Sequence, residues 1–101
     1  MLLPAVDCRT QRRLSAAVER DVVQIVGSTI RRLREQRGVS QEAFAQLAEL
    51  DRSFYGRIER GTQNIALKTL CVVAGALQVH PAELLCDILD SDCESLKPAG
   101  R

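Results

Sequence analysis

The sequence predicts a single all-α domain of five helices, and three observations carry that prediction. Apolar residues recur every three or four positions in successive segments, which is the spacing of amphipathic helices. Helix-capping residues or glycines stand at the boundaries of these segments. Aromatic residues make up only 3% of the 101 residues, so the core must consist mainly of Leu, Ile, Val and Ala. A chain of this length is one domain's worth and suits a small packed helical core.

The first clear helix begins after Asp21, which is placed to accept a hydrogen bond from an N–H of the first turn. Its apolar face is formed by Val22, Val26, Ile30 and Leu33. Gly38 follows the last turn, where a left-handed residue commonly ends a helix. Residues 1–20 form an N-terminal extension with weak signals, in which residues 11–20 have the spacing of an extra helical segment.

Two short helices then follow with a very short interval between them. Ser40 is a good N-cap for the second helix, and its predicted apolar face is Phe44, Ala45, Leu47 and Ala48. Asp51 caps the third helix, residues 52–60, which turns Tyr55 and Ile58 inward and ends at Gly61. Two short helices joined by a tight turn predict a helix-turn-helix at about residues 40–61.

The last two helices complete the domain at residues 21–90. A fourth helix is predicted from the stripe Leu67, Leu70, Val73, Ala74 and Leu77. Pro81 suits the first position of a fifth helix, whose apolar residues are Leu84, Leu85, Ile88 and Leu89. The chain is expected to fray from Asp90, so that residues 91–101 form a flexible C-terminal tail.

Composition and spacing argue against several classes of function. None of the four cysteines is in a CxxC pair, and the single histidine, His80, is not at ligand spacing from them, so no metal or other cofactor is expected. No catalytic Ser/His/Asp set or phosphate-binding loop is present, so we expect no enzyme. No secretory signal is recognised, and the apolar run at residues 70–77 is too short to cross a bilayer. We therefore expect a soluble cytoplasmic protein with reduced thiols and no membrane partner.

The charge is distributed unevenly although the net charge is only +1. Residues 1–60 carry 11 arginines and 8 acidic residues, which is 11 − 8 = +3, and residues 61–101 carry 3 basic and 5 acidic residues, which is 3 − 5 = −2. This asymmetry suits a basic face in the first part of the chain. Arg31, Arg32 and Arg37 are interpreted mainly as a solvated face of the first helix.

The third helix has the side chains that a recognition helix needs. Arg52, Ser53, Gly56 and Arg57 lie at or near its N-terminal end and on one side. Arginine can donate two hydrogen bonds to guanine O6 and N7 in the major groove, serine can serve either base, and glycine permits close approach. Ser40 and Gln41 lie at a helix N-terminus, where free N–H groups bind phosphate. The sequence therefore predicts a surface for duplex DNA.

Residues 33–85 also resemble the Cro/repressor-type helix-turn-helix family, which is known as the Xre family. The matching segments are residues 33–34, 38–42 with Ala45, 51–53, 58–61, 67–70 and 74–77. The Asp-Arg-Ser run ahead of Ile-Glu-Arg-Gly is similar to that of the controller proteins of restriction–modification systems. The resemblance implies a five-helix lambda-repressor-like domain that binds double-stranded DNA and regulates transcription.

The resemblance also implies roles for individual residues. Arg52, Ser53, Gly56 and Arg57 match positions that face bases, and Gln41, Arg60, Thr62 and Gln63 match positions near phosphates. Arg34 and Glu59 match a buried ion pair that joins the first helix to the end of the third. The chain departs from the family where Glu49 replaces a common glycine in the turn and Ala66 replaces a common serine cap.

We expect the protein to act as a homodimer on an inverted repeat, because one recognition helix reads only a few base pairs. The predicted dimer interface consists of Val79, Leu84, Leu85, Ile88 and Leu89, and residues 1–20 are the competing surface. RNA polymerase is a further partner for a regulator of this kind. The alternative function is an antitoxin that represses its own operon and binds a protein toxin. A protein-interaction module without DNA binding is the other rival.

Overall fold

The computed structural model describes residues 21–94 and residue 96, and in this part of the chain every regular element is a helix. The six helices are α1 (Val22–Gln36), α2 (Gln41–Leu47), α3 (Arg52–Arg60), α4 (Leu67–Leu77), α5 (Pro81–Leu85) and α6 (Asp90–Glu94). The predicted all-α fold is confirmed, with α1 to α5 in the predicted order. The predicted N-terminal helical segment lies outside the described residues.

Three side-chain caps fix the starts of the first three helices, as predicted. The backbone N–H groups of Val23, Ala43 and Phe54 donate to Asp21, Ser40 and Asp51 at 2.8, 3.0 and 3.1 Å, respectively. Each bond satisfies a donor that the first helical turn leaves without a partner. These caps therefore separate α2 and α3 as distinct short helices rather than one long helix.

The turn between α2 and α3 requires one left-handed residue. Glu49 occupies this conformation with φ 58°, at the position where the family commonly has glycine. A side chain in this region is strained relative to glycine, but a single residue of this kind is tolerated in a tight turn. Gly38 and Gly61, with φ 73° and 78°, end the helices that precede them.

The helix α4 starts without a side-chain cap, whereas α5 starts with one that the sequence did not lead us to expect. Ala66 is the N-cap of α4 and makes no capping hydrogen bond. The N–H of Ala82 donates to Nδ1 of His80 at 3.0 Å, and Pro81 is in the first turn. Thus the only histidine of the chain has a local structural role at the start of α5.

One aliphatic core joins the first five helices. It contains Val26, Ile30, Phe44, Ala45, Ala48, Tyr55, Ile58, Leu70, Val73, Ala74, Leu77 and Leu84. The rings of Phe44 and Tyr55 pack with their centroids 5.1 Å apart and tilted by 43°, which fixes α2 against α3. The helix-turn-helix is therefore supported by α1, α4 and α5 rather than standing alone.

Two residues predicted to be inward are exposed. Leu47 is 64% exposed, because it lies about 100° around α2 from the middle of the buried face. Leu67 is 73% exposed; it is the first residue of α4, and its side chain points back toward the helix N-terminus, away from the core residues that follow. Helical spacing alone predicted these two positions wrongly.

The end of the domain also differs from the prediction. The helix α5 ends at Leu85, so Ile88 and Leu89 follow it rather than continue it. Asp90 does not begin a frayed tail, because residues 90–94 form α6. The buried carboxylate of Asp92 accepts a hydrogen bond from the N–H of Leu89 at 2.8 Å, which stabilises the start of this short helix. Within the described residues, we find no helix with the length and hydropathy to cross a bilayer.

Candidate nucleic-acid interface

A close crossing of α1 and α3 sets the position of the candidate recognition helix. An ideal Cβ atom on Gly27 would lie 2.4 Å from the carbonyl oxygen of Ile58 and 2.7 Å from that of Glu59. Only glycine permits the backbones to approach this closely. The C-terminal half of α3 is therefore seated directly on the backbone of α1.

The Arg34 and Glu59 side chains form a buried ion pair, as the resemblance implies. Nε of Arg34 donates to Oε2 of Glu59 at 2.6 Å, and Nη2 donates to Oε1 at 3.1 Å. Nη1 of the same guanidinium donates to the carbonyl oxygen of Val39 at 2.7 Å. This two-bond geometry orients both groups and connects α1, α3 and the segment before α2.

Two further side chains complete the surroundings of the Glu59 carboxylate. Nε2 of Gln41 donates to Oε1 at 2.9 Å, and the hydroxyl of Tyr55 donates to Oε2. Burial alone raises the pKa of Glu59, but the hydrogen bonds from Arg34, Gln41 and Tyr55 outweigh burial and lower it. The hydrogen bond to Glu59 raises the pKa of Arg34, and burial raises that of Tyr55. The pair is therefore charged at neutral pH.

The exposed charge of α3 is entirely positive. Arg52, Arg57 and Arg60 are exposed, whereas the one acidic residue of this helix, Glu59, is buried and paired with Arg34. Ser53 is exposed beside Arg52. The arrangement presents arginine donors to solvent without a competing carboxylate on the same helix, which suits an anionic partner.

The predicted base-facing position Gly56 is not open to solvent. It is buried, and an ideal Cβ atom there would lie 3.3 Å from Nη1 of Arg60 and 3.9 Å from Oε1 of Gln41. The two side chains lie against this position because glycine leaves the space free. The base-facing role of Gly56 stays a prediction, and in this structure the side chains of Arg60 and Gln41 lie against that position.

Arg57 is held in place by two neighbouring side chains. Its guanidinium carbon lies 5.8 Å from the ring centroid of Phe54, and its Nε donates to Oε1 of Gln63 at 3.3 Å. Stacking on the ring and the hydrogen bond restrict a long side chain that would otherwise be mobile. Phe54, which is half-buried, was not identified from the sequence as part of this surface. Its spacing of three residues from Arg57 was the available signal.

The residues predicted near phosphates flank α3 on two sides. The Ser40 side chain is the N-cap of α2, and Gln41 in the first turn is bonded to Glu59. Beyond the end of α3, the hydroxyl of Thr62 donates to the carbonyl oxygen of Arg57 at 3.4 Å, and Gln63 accepts from Arg57. Ser40, Gln41, Thr62 and Gln63 thus each have a partner inside the protein, so phosphate contact by these four side chains would have to share or replace it.

Arg37 is bound more firmly than a solvated charge. Its Nε donates to the carbonyl oxygen of Leu77 at 2.8 Å, and Nη2 donates to Oε1 of Gln78 at 3.1 Å. A cation at the last carbonyl groups of α4 is favourable for the helix dipole. Arg37 therefore joins α1 to the end of α4, a role that depends on a long-range contact and has no local signal.

The predicted dimer residues divide into two groups. Leu84 is completely buried in the core, so its assignment to an intermolecular contact is wrong. Val79 and Ile88 pack against the core and are half-buried, as is Leu89, while Leu85 is 42% exposed. Only the last four residues have surface that a second copy could cover.

Comparison with known proteins gives the same class of protein as the geometry. A family model described as helix-turn-helix matches residues 30–84. The control protein C.BamHI of Bacillus amyloliquefaciens is 34% identical over 74 residues, which are 72% of this chain and 91% of that protein. The crystal structure of the restriction–modification controller protein C.AhdI from Aeromonas hydrophila has a TM-score of 0.60 and 42% identity, covering 61% of this chain and 94% of that chain.

A third similar protein has been solved in complex with DNA. The controller protein C.Esp1396I, solved as a tetramer in complex with its natural 35 base-pair operator, has a TM-score of 0.60 and 29% identity, covering 65% of this chain and 87% of that chain. Because the matching model spans more than half of the sequence, this chain belongs to the helix-turn-helix family. It is a DNA-binding transcriptional regulator of the Xre type, and its relatives include restriction–modification controller proteins.

Proposed function

We propose that this protein binds a specific inverted repeat in duplex DNA as a homodimer and thereby regulates transcription of nearby genes. The observation that carries the proposal is the exposed face of α3, where Arg52, Arg57 and Arg60 are the only exposed charged side chains of that helix. The similar controller protein that was solved as a tetramer on its operator supports this function.

Direct reading of sequence is assigned to Arg52, Ser53 and Arg57. Arg52 and Ser53 are the first two residues of α3, and the N-terminal part of a recognition helix is the part that enters the major groove. Arg57 is oriented by Phe54 and Gln63, so part of the entropy cost of fixing its side chain is met before binding. Contacts of Ser40, Gln41, Thr62 and Gln63 with phosphates would set the register of the helix on the duplex.

Dimerisation is assigned to the side of the domain formed by α4 and α5. Leu67, Val72 and Leu85 are exposed on these two helices, and Val79, Ile88 and Leu89 supply partly exposed apolar surface near them in sequence. Apolar surface of this kind is more favourable when a second copy covers it. Two recognition helices related by twofold symmetry would then address half-sites about 34–36 Å apart.

The first experiment selects bound sequences from random and genomic DNA at several salt concentrations. We expect a short inverted repeat, with an affinity that falls steeply as salt rises because arginines replace condensed counterions. Arg52→Ala and Arg57→Ala should each relax preference at one base position of the half-site. Arg31→Ala is the control, since Arg31 is an exposed arginine of α1 that pairs with Glu35 of the same helix at 3.1 Å. Binding without any selected motif would contradict the proposal.

The second experiment tests the dimer surface independently of DNA. Leu85→Arg should convert a dimer into a monomer in sedimentation equilibrium, because the charge would have to be desolvated in the interface. Leu47→Arg is the matched control, since Leu47 is equally apolar and 64% exposed but lies on α2. If the wild type and both variants all sedimented as dimers, Leu85 would be excluded from the interface.

A further inference from the structure

The side chain of Arg60 does not extend from the end of α3 but folds back along this helix. Its Nη1 atom is close to the backbone at Gly56, where an ideal Cβ atom would lie only 3.3 Å away. Arg60 is exposed, while Gly56 beneath it is buried. The guanidinium thus covers the helix backbone one turn before the Cα atom of Arg60 and stays accessible to a ligand.

This direction moves the charge toward the end of the helix that enters the groove. Four residues of α-helix correspond to about 6 Å along the axis, and long helical side chains point toward the N-terminus. Arg52, Gly56 and Arg60 are spaced four residues apart, so they form one row on α3. Arg52 and Arg60 therefore belong to the same row, and the residue between them in that row, Gly56, has no side chain.

The backbone of α3 does not itself require a glycine at position 56. This position is in the middle of α3 with no positive φ, and glycine there is less favourable for a helix than alanine. The space that a side chain would fill is bordered by Arg60 on one side and by Oε1 of Gln41 at 3.9 Å on the other. Gln41 is itself fixed through its hydrogen bond to Glu59.

We propose that Arg60 is a base-reading residue, and that Gly56 is its positioning residue because it leaves the space across which Arg60 reaches the major groove. The ligand is the guanine edge of a G·C pair, whose O6 and N7 atoms accept the two parallel donors of a guanidinium. This inference rests on the proposed function. It replaces the phosphate contact that the family resemblance implies for Arg60.

A phosphate role and a base-reading role make different demands on position 56. A phosphate is reached by many side-chain conformations, so a methyl group at position 56 would leave an Arg60–phosphate contact intact. A bidentate contact with guanine requires one orientation of the guanidinium. In this structure an alanine Cβ atom at position 56 would lie 3.3 Å from Nη1 of Arg60, so the guanidinium would have to shift by a few tenths of an ångström. The two roles are therefore separated by a substitution that does not alter charge.

The test is a double-mutant cycle with Arg60→Ala, Gly56→Ala and the double variant, each assayed by selection from a randomised half-site and by affinity for single-base variants of the selected site. Arg60→Ala should reduce discrimination at one G·C pair by about 5- to 150-fold. Gly56→Ala should reduce discrimination at the same pair, and it should have no further effect in the Arg60→Ala background. Thermal unfolding of each variant checks that the fold is retained.

Four results would overturn the inference. Arg60 would contact phosphate if Arg60→Ala weakened binding to all DNA sequences equally and lowered the salt dependence of the affinity by about one phosphate contact. Gly56 would act on DNA directly if Gly56→Ala had the same effect with and without Arg60. A wild-type protein that selected no motif would refute the proposed function, and this inference would fail with it; a selected motif unchanged by both substitutions would refute the inference alone.

Discussion

The carboxylate of Glu59 receives hydrogen bonds from side chains of three different helices. Arg34 belongs to α1, Gln41 to α2 and Tyr55 to α3, so a single buried charge fixes the relative positions of the elements that form the helix-turn-helix. The removal of one partner of a buried ion pair is costly because the other charge is left uncompensated. At the scale of one residue, Glu59 is therefore a position at which we expect substitution to be costly.

The first prediction concerns acid. The folded-state pKa of Glu59 is lower than its ordinary value, so its contribution to stability is fully present above the unfolded-state pKa near 4.5 and is lost as pH falls through the folded-state pKa. Denaturant unfolding should show this as a decline in the free energy of unfolding below about pH 5. Glu59→Gln should cost about 3–5 kcal/mol at pH 7 and show a shallower decline in acid.

The control for this prediction is Glu35→Gln. Glu35 is exposed; its carboxylate lies 3.1 Å from Nε of Arg31 and 3.9 Å from Nη2 of Arg34, so its loss should change stability by less than about 1 kcal/mol and leave the Arg34–Glu59 hydrogen bonds in place. If Glu59→Gln does not fold, Tyr55→Phe provides a milder variant, with an expected loss of about 1–3 kcal/mol for one buried hydrogen bond. If the free energy of unfolding of Glu59→Gln declined in acid as it does in the wild type, the role assigned to the carboxylate would be contradicted.

At the scale of elements, two glycines make a matched pair. Gly27→Ala would place a methyl group 2.4 Å from a backbone oxygen of α3, so the helices would have to separate, and we expect a loss of about 1–3 kcal/mol. Gly75 is inside α4 with nothing within 4 Å of an added Cβ, so Gly75→Ala should stabilise by about 0.5–1 kcal/mol. Thermal unfolding measures both, and a loss on Gly75→Ala would contradict the open surroundings described for it.

The start of α4 offers a gain in stability. Ala66 has the extended conformation of an N-cap, with φ −71° and ψ 153°, but has no side chain to accept a hydrogen bond. Ala66→Ser should stabilise the domain by about 1 kcal/mol, and Ser40→Ala should cost a similar amount by removing the cap of α2. If Ala66→Ser left the free energy of unfolding unchanged, the start of α4 would not limit stability.

Local chemistry explains which elements the sequence could predict. The caps Asp21, Ser40 and Asp51 depend only on a polar side chain and the first helical turn, so their residue types were sufficient. The exposure of Leu47 and Leu67 depends on which neighbour covers each helix, and periodicity does not contain that information. The small helix α6 depends on a side-chain contact of Asp92 that composition alone does not reveal.

The candidate site was predictable in part for the same reason. Arg34 and Glu59 are 25 residues apart, and their pairing followed from the family resemblance rather than from spacing. The placement of Arg52, Ser53 and Arg57 on one side of α3 could be predicted from helical geometry. By contrast, the cover of Arg60 over Gly56 and the close crossing at Gly27 depend on conformations and contacts that exist only in the folded domain.

At the scale of the whole molecule, the arginines of the proposed DNA-binding face and the exposed apolar residues belong to different helices. The exposed arginines of the proposed DNA-binding face are on α3, whereas Leu67, Val72 and Leu85 are exposed on α4 and α5. In the proposed dimer, a second copy would therefore cover apolar residues of α4 and α5 without using residues of α3. This division allows dimerisation to add binding energies without using residues of the DNA-reading face.

The last prediction follows from that division. If two copies cover the α4–α5 surface in the folded state only, unfolding releases two chains and the Tm must depend on protein concentration. A tenfold increase in protein concentration adds about 1.4 kcal/mol per dimer, or about 0.7 kcal/mol per chain, to the free energy of unfolding. This corresponds to a rise in Tm of about 3–6 °C for a domain of this size. Leu85→Arg should have a lower Tm that no longer depends on concentration, and Leu47→Arg should keep the dependence. A wild-type Tm that is constant over a wide concentration range would mean that the apolar surface is not covered by a second copy.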